Sequence, residues 1–289
     1  MQKIGVIGAG LMGNGIAHVA ALAGFDVVLS DVALARAEAA KATIATNLAR
    51  AVKKGTIAAD AVDPTLARIT LTTDPAAFAS CDLVIEAATE NENIKAAIFA
   101  DLGPRLKPEA LIATNTSSLS ITRLAAATDR PDRFVGVHFF NPVPVMALVE
   151  IIRGLATSDT TADAMHTFAA RLGKTAIAAA DAPAFIVNRV LCPMMNEAIF
   201  ALGDGVGSVA DIDTGLKLGA NHPMGPLALA DYVGLDTLLS IMRIMAEATG
   251  DPKYRPAPLL VKFVEAGWFG RKNGRGFYDY SGPEPVPVR

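Results

Sequence analysis

The sequence predicts an α/β domain with a mostly parallel sheet and a long helical hairpin insertion, followed by an all-α domain. In the first part of the chain, short apolar runs alternate with helical patterns, as a wound parallel sheet requires. A glycine-rich turn directly follows the first of these runs. After Pro183 the strand patterns fade and helical patterns take over. We therefore expect a first domain over 1–183 and a second over 184–289.

Five apolar runs are the predicted strands, and they cover 3–7, 26–30, 83–87, 111–114 and 134–139. A helical stretch over 34–54 ends in two lysines before a glycine, a typical helix stop, and a segment over 58–68 is expected to fold back on it. Helical patterns of the second domain cover 188–202, 211–217, 231–248 and 258–266. The stretch 281–289 holds three prolines and no periodicity, so we expect a frayed tail.

Composition excludes several classes of protein. Hydrophobic residues make up 52% of the 289 and charged residues 19%, which supplies a packed core and excludes wholesale disorder. A formal net charge of −3 argues against a general nucleic-acid binder. The two cysteines, Cys81 and Cys192, lack metal-ligand spacing, so no metal site is expected. The chain starts at its first predicted strand and holds no apolar run of about 18 residues, which predicts a cytoplasmic protein without a membrane partner.

A G-x-G-x-x-G motif lies between the first predicted strand and the first predicted helix, and its sequence is Gly8-Ala9-Gly10-Leu11-Met12-Gly13. In that setting the motif is typical of a Rossmann-type dinucleotide site. Gly8 allows the tight turn, Gly10 lets a pyrophosphate approach the backbone, and Gly13 lets helix and strand pack closely. The N–H groups at the helix N-terminus face the phosphates, so Leu11 and Met12 belong to the predicted site.

Asp31 follows the second predicted strand, where a carboxylate can accept hydrogen bonds from both hydroxyls of an adenosine ribose. The same charge repels a 2′-phosphate. The sequence therefore predicts NAD as the cofactor in preference to NADP.

The chain has four histidines, and His138 is the one at the C-terminal end of a predicted parallel strand. Ligands of open α/β sheets bind at that edge. A dehydrogenase that oxidises an alcohol needs a base near the hydroxyl, and a neutral imidazole suits that task near pH 7. On the residues alone, a structural histidine at this position remains an alternative.

Further motifs carry a family resemblance that runs nearly end to end. Besides the glycine turn they are Glu-Ala-Ala-Thr-Glu over 86–90, Ala-Thr-Asn-Thr-Ser-Ser over 113–118, Gly-Val-His-Phe-Phe-Asn-Pro over 136–142, Phe-Ile-Val-Asn-Arg over 185–189, Asn-His-Pro-Met-Gly-Pro over 221–226 and Gly-Arg-Lys-Asn-Gly-Arg-Gly-Phe-Tyr over 270–278. Together they resemble the L-3-hydroxyacyl-CoA dehydrogenase family, and most of all its short bacterial members that act on 3-hydroxybutyryl-CoA. One position departs: the family commonly has glycine before the phenylalanine at the domain boundary, whereas this chain has Ala184.

The resemblance implies a role for each matching residue. His138 matches the catalytic base and Glu150 its carboxylate partner. Ser117 and Asn188 match polar residues that hold the substrate. The positions that match the cofactor site are Glu90, Lys95, Asn115, Ser117, Asn141 and Lys272, of which Asn141 also borders the substrate. Lys54 matches a position near the CoA nucleotide, although a solvated helix end is an equal alternative.

The expected reaction is the reversible oxidation of a short (S)-3-hydroxyacyl-CoA to a 3-oxoacyl-CoA with NAD. The second domain is expected to close the acyl site and to join a homodimer through residues after Pro183. Two alternatives stay open: a β-hydroxyacid dehydrogenase acting on a free acid, and a crystallin-like protein that binds NAD without turnover. The first class generally uses a lysine base in the helical domain, whereas the candidate base here is a histidine in the first domain.

Overall fold

A computed structural model describes residues 1–288. The chain divides into two compact units, Met1–Phe185 and a second that begins at Ile186. The first contains one eight-stranded sheet with helices packed against it, and the second is helical. The structure thus confirms the predicted fold class.

The elements of the first unit follow the βα alternation of a wound sheet. In chain order they are β1 (Lys3–Ile7), α1 (Leu11–Leu22), β2 (Asp26–Ser30), α2 (Leu34–Lys53), α3 (Val62–Ala67), β3 (Ile69–Thr72), β4 (Leu83–Glu86), α4 (Glu92–Leu102), β5 (Leu111–Thr114), α5 (Ile121–Ala125), β6 (Phe134–Phe139), β7 (Leu148–Arg153), α6 (Asp159–Arg171) and β8 (Thr175–Ala180). The strand order is β3-β2-β1-β4-β5-β6-β7-β8. Every neighbouring pair is parallel except β6 with β7, which is antiparallel.

Strand direction determines where the site forms. Because β1 to β6 run the same way, their carboxyl ends meet at one edge of the sheet, which we call the carboxyl edge. Strands β4, β5 and β6 are buried along their whole length, which explains why their sequences are nearly continuous apolar runs. The reversal at β7 brings the start of that strand to the same edge.

All five predicted strands are present, and β4 ends one residue earlier than predicted. In the eight-stranded sheet the sequence analysis missed three others, for three physical reasons. Strand β3 is half polar, β7 carries an acidic residue inside an apolar run, and β8 is rich in alanine, which favours helix. The predicted hairpin of α2 and α3 forms, although its second arm is shorter than predicted and starts with a 3₁₀ turn.

The second unit contains the helices α7 (Val187–Gly203), α8 (Val209–Gly219), α9 (Pro226–Val233), α10 (Leu235–Thr249) and α11 (Pro258–Glu265), with a strand pair β9 (Tyr278–Asp279) and β10 (Val286–Pro287). The predicted helix over 231–248 was wrong in its continuity, because Gly234 adopts φ +100° and separates α9 from α10. The prediction of a frayed tail was also wrong for the described residues 281–288, since β10 pairs with β9 in antiparallel register.

A buried carboxylate holds this strand pair against the helices. Asp231 of α9 is fully buried and accepts hydrogen bonds from the backbone N–H of Phe277 and of Tyr278 and from the hydroxyl of Tyr280, at 3.0, 2.9 and 3.0 Å. Burial raises the pKa of the Asp231 carboxyl. These long-range bonds fix β9, the strand with which β10 of the tail pairs.

Ala184 and Phe185, at the end of the first unit, have φ of +64° and +53°. The left-handed region costs an L-residue about 1–2 kcal/mol and costs glycine nothing. That difference gives a physical reason for a glycine at the position where this chain departs from the family. Both side chains are buried, and this packing offsets the strain.

Within residues 1–288, no helix is long and apolar enough to cross a membrane. The same residues contain no group of three or more His, Cys, Asp or Glu side chains that could hold a metal ion.

His18 makes the first unit sensitive to acid. It is buried in α1, its Nδ1 has no hydrogen-bond partner among the described residues, and burial lowers its pKa to about 4. The unfolded chain binds a proton near pH 6.5, whereas the folded chain resists protonation down to about pH 4. Stability that is present above pH 6.5 is therefore lost as the pH falls toward 4.

We expect His18→Leu to remove this loss. Urea unfolding at pH 7.5 and at pH 4.5 should show the wild type losing about 2–3 kcal/mol more unfolding free energy than the variant between the two values. Equal losses in both proteins would contradict this prediction.

Candidate active site

The glycine turn at the carboxyl edge is shaped by contacts that a side chain would block. Gly8 has φ +95°, and a Cβ there would lie 2.5 Å from the Cα of Ala88. A Cβ on Gly13 would lie 1.7 Å from the carbonyl oxygen of Gly8, so only glycine lets α1 start this close to the turn. A Cβ on Gly10, in contrast, would have no atom within 4 Å.

Gly10 is the N-cap of α1 and offers no side-chain cap. The first N–H groups of the helix, which include those of Leu11 and Met12, therefore receive no capping side chain from Gly10, and the space that a Gly10 side chain would fill is open. Free amides and the positive end of the helix dipole are what a phosphate needs.

A cavity of about 340 Å³ extends from this turn along the end of β2. Its lining includes Gly8, Asp31, Arg36, Ala88 and Ile94. Oδ2 of Asp31 accepts a hydrogen bond of 2.9 Å from the backbone N–H of Ala9, and its Oδ1 lies 3.7 Å from the Arg36 guanidinium. Asp31 was predicted to serve a ribose alone; in the structure it also anchors the glycine turn.

A second cluster gathers around the carboxylate of Glu90, in the segment that follows β4. Its Oε1 accepts hydrogen bonds from Thr116 Oγ1 at 2.8 Å, from the Ser117 N–H at 2.8 Å and from Ser117 Oγ at 3.0 Å. The Ser118 hydroxyl adds a fourth at 3.3 Å. Because its proton points to Glu90, the half-buried Ser117 hydroxyl is held in one orientation with its lone pairs free.

The pair of His138 and Glu150 is formed directly by strand register. His138 of β6 lies opposite Glu150 of β7, and Nδ1 of the ring lies 2.6 Å from Oε2 of the carboxylate. Glu150 is fully buried and His138 is 6% exposed. The rings of Phe140 and Phe185 lie beside the imidazole, with centroids 4.4 and 5.9 Å away.

This pairing determines the chemistry of the ring. A buried carboxylate fixes the tautomer in which Nδ1 carries the proton and donates it to Glu150. The other nitrogen, Nε2, is then a free base, and a proton gained there is stabilised by the neighbouring negative charge. The arrangement is suited to taking a proton from an alcohol and returning it.

Asn115 lies between the two clusters, directly after β5. Its Oδ1 accepts a hydrogen bond of 3.1 Å from the N–H of Phe139, the residue after His138. Its carbonyl accepts one of 3.1 Å from Nζ of Lys95. Lys95 was predicted to line the cofactor; the structure places its whole side chain in the interior, in an ion pair with the buried Glu86.

The remaining predicted residues lie in other segments of the chain. Asn141 is exposed in the connection after β6, and Lys54 is exposed at the C-cap of α2. In the second unit, Asn188 lies in the first turn of α7, and Lys272 forms an ion pair with Asp236. The predicted roles of Asn188, Lys272 and Lys54 stay predictions.

Comparison with known proteins identifies the family. The family model for the 3-hydroxyacyl-CoA dehydrogenase NAD-binding domain matches residues 3–182, and the model for the C-terminal domain of the same family matches residues 185–280. The chain belongs to the 3-hydroxyacyl-CoA dehydrogenase family. This dehydrogenase is therefore an oxidoreductase whose first unit binds NAD, as the sequence predicted.

Individual relatives support the same assignment. A 3-hydroxybutyryl-CoA dehydrogenase of Bradyrhizobium diazoefficiens is 61% identical over 289 residues, which are 100% of this chain and 99% of that protein. A probable 3-hydroxybutyryl-CoA dehydrogenase of Bacillus subtilis is 51% identical, over 97% of this chain and 98% of the relative. The crystal structure of (S)-3-hydroxybutyryl-CoA dehydrogenase from Ralstonia eutropha superimposes with a TM-score of 0.96 at 50% identity, covering 98% of this dehydrogenase and 100% of that chain.

The geometry of the first unit fits NAD. The uncapped start of α1 and the open space at Gly10 suit the pyrophosphate, and Asp31 lines the adjoining cavity where a ribose would lie. Two residues of this region were missed by the sequence analysis. Arg36 beside Asp31 carried no signal, but an acidic residue ending the apolar run of β4 could have shown that Glu86 needs a buried partner.

We expect Gly10→Ala to separate cofactor binding from folding. The added methyl meets no protein atom but occupies the space beside the helix N-terminus, so NADH affinity should fall at least about tenfold with an unchanged unfolding midpoint. Fluorescence titration with NADH and thermal unfolding measure the two quantities.

Gly13→Ala is the matched control, because its methyl would collide with the Gly8 carbonyl and should lower stability as well as affinity. Wild-type NADH affinity in Gly10→Ala would show that the phosphates bind elsewhere.

Proposed function

We propose that this dehydrogenase catalyses the reversible oxidation of short-chain (S)-3-hydroxyacyl-CoA, such as 3-hydroxybutyryl-CoA, to the 3-oxoacyl-CoA with NAD. The names of full-length relatives at 61% and 51% identity support the acyl-CoA substrate. The name of the Ralstonia eutropha enzyme supports the S configuration. The single observation that carries the mechanism is the contact between His138 Nδ1 and Glu150.

In the proposed reaction, His138 is the general base. Bound NAD supplies the hydride acceptor. Nε2 of His138 takes the proton from the substrate hydroxyl as the hydride leaves the carbon, and Glu150 stabilises the imidazolium that results. In the direction of reduction, Nε2 returns the proton to the carbonyl oxygen.

Ser117 is proposed to hold the substrate oxygen near His138. Its hydroxyl donates to Glu90 in this structure. The single hydroxyl proton of an alcohol substrate goes to Nε2 of His138, so Ser117 can hold that oxygen only by rotating its hydroxyl away from Glu90 and donating to it. The same rotation lets Ser117 donate to the carbonyl oxygen in the direction of reduction, and the partner role of Asn188 stays a prediction from the resemblance.

A steady-state assay tests the proposal. Acetoacetyl-CoA should drive loss of NADH absorbance, and longer 3-oxoacyl-CoA substrates should be slower. In reverse, (S)-3-hydroxybutyryl-CoA should react and the R enantiomer should not. Turnover of free 3-hydroxybutyrate in preference to its CoA ester would favour a β-hydroxyacid dehydrogenase, and NADH binding with no turnover would favour a crystallin-like role.

Substitution of the pair tests its two roles separately. His138→Gln should leave NADH affinity within about twofold, because the glycine turn and Asp31 are untouched, and should lower turnover by about 10²–10⁴-fold. Glu150→Gln keeps the shape but removes the charge that stabilises imidazolium, so turnover should also fall.

The rate of Glu150→Gln separates this role from a structural one. Without the anion, the imidazolium that forms during the reaction loses its neighbouring negative charge, so kcat should fall in both directions of the reaction while the Kd of NADH is unchanged. Glu109→Gln, which alters an exposed carboxylate, is the control. A wild-type rate in Glu150→Gln would make Glu150 a structural carboxylate.

The homodimer is proposed through the second unit, in the cytoplasm. Most apolar side chains of α10 are buried, so this helix offers little apolar surface to a partner subunit. The dimer is supported by large apolar side chains that the second unit exposes to solvent, among them Val190 at 69%, Val206 at 77% and Leu218 at 80%.

Light scattering at micromolar concentration should give about twice the chain mass of 30.0 kDa. Leu218→Asp should shift the mass toward the monomer, whereas Leu155→Asp, at a still more exposed position of the first unit, should not. A monomeric wild type would refute the dimer.

A further inference from the structure

A charged cluster lies in the interior of the first unit, directly behind the carboxyl edge. Glu86 is the last residue of β4 and Lys95 lies in α4, and both side chains are fully buried. The ammonium and the carboxylate are in contact. We call Glu86, Lys95 and Thr114 the edge cluster.

Every polar group of the edge cluster has a partner. Oε2 of Glu86 accepts from Lys95 Nζ and, at 2.8 Å, from the Thr114 hydroxyl. Oε1 accepts a hydrogen bond of 2.8 Å from the backbone N–H of Ala88. The other two acceptors of Lys95 are Thr114 Oγ1 at 3.2 Å and the carbonyl oxygen of Asn115 at 3.1 Å. Three donors on the ammonium thus meet three acceptors.

The backbone groups held by the edge cluster belong to the candidate site. Ala88 packs on Gly8, where a Cβ would lie 2.5 Å from its Cα, so the cluster determines the space beside the glycine turn. Asn115 accepts the N–H of Phe139, which follows His138. The edge cluster therefore connects the ends of β4, β5 and β6 with the glycine turn.

Stability alone does not explain these charges. Replacing a buried ion pair with apolar side chains of similar volume is often neutral or stabilising, because two charges no longer lose their water. Apolar side chains would, however, leave the Ala88 N–H and the Asn115 carbonyl without their present partners. What the charges supply is the position of these two backbone groups.

We propose that Glu86 is a positioning residue of the dehydrogenase reaction, acting through Lys95 on Asn115 and directly on Ala88. This inference rests on the proposed function, because it concerns the turnover assigned there. Removing the outer partners that orient metal ligands typically costs about 10–100-fold in activity, and we expect a loss of that order for a partner that orients reacting groups.

The test compares two ion pairs at opposite ends of one strand. Glu86→Gln/Lys95→Met removes both charges behind the carboxyl edge. Asp82→Asn/Lys107→Met removes a pair beside the first residue of β4, at the other edge of the sheet. Each double variant avoids an unpaired charge. For both, kcat and KM with acetoacetyl-CoA and NADH, the Kd of NADH and the thermal unfolding midpoint are measured.

We expect the Glu86→Gln/Lys95→Met variant to lose about 10–100-fold in kcat. KM for NADH should change less than about threefold, because the amide oxygen of glutamine can still accept the Ala88 N–H beside the glycine turn. Asp82→Asn/Lys107→Met should keep kcat within about twofold. Wild-type kcat in the first variant, an equal loss in both, or a loss confined to KM and Kd for NADH would overturn the proposal.

Thr114→Val keeps the test decisive if the double variant does not fold. It removes one hydroxyl from the edge cluster and leaves both charges in place, so kcat should fall at least about threefold with an unchanged KM for NADH. An unchanged kcat would overturn the proposal. Failure of the wild type to reduce acetoacetyl-CoA would instead refute the proposed function, while the Kd of NADH for each variant remains measurable without substrate.

Discussion

The antiparallel pairing of β6 with β7 is the constraint on which the candidate chemistry depends. Directly opposed residues of an antiparallel pair have neighbouring side chains, and a shift by one residue turns every side chain to the other face. The position of Glu150 against His138 is therefore a property of register. The six parallel strands place the histidine at the carboxyl edge, beside the predicted NAD site, and the reversal at β7 places its carboxylate partner there.

The loop that connects β6 with β7 is held in place by a lysine that precedes β8. Lys174, just before β8, donates hydrogen bonds of 2.7 Å to the carbonyl oxygens of Val143 and Met146. Burial lowers the pKa of this lysine. Because β8 pairs in parallel with β7, the same strand that extends the sheet also fixes the chain leaving β6. Register and loop are thus determined together.

The sequence could predict the fold class, five strands and the glycine turn, because apolar runs and glycine spacing depend on local rules. It could not predict β7 or β8 from pattern, since tertiary pairing overrides the acidic residue in one and the alanines in the other. The resemblance named His138 and Glu150, and the structure supplies their contact. For Lys95 the resemblance gives a place at the cofactor site, which stays a prediction, and the structure adds that its side chain is buried against Glu86.

Asp31 has a consequence for redesign of cofactor choice. In many NAD enzymes the corresponding acid is treated as an independent selector that can be exchanged to admit a phosphorylated ribose. Here one of its oxygens also accepts the N–H of Ala9 inside the glycine turn. In the predicted NAD site, exchanging it would remove the charge beside the ribose and also the acceptor that anchors the glycine turn. An exchange of Asp31 must therefore supply a new acceptor for the Ala9 amide.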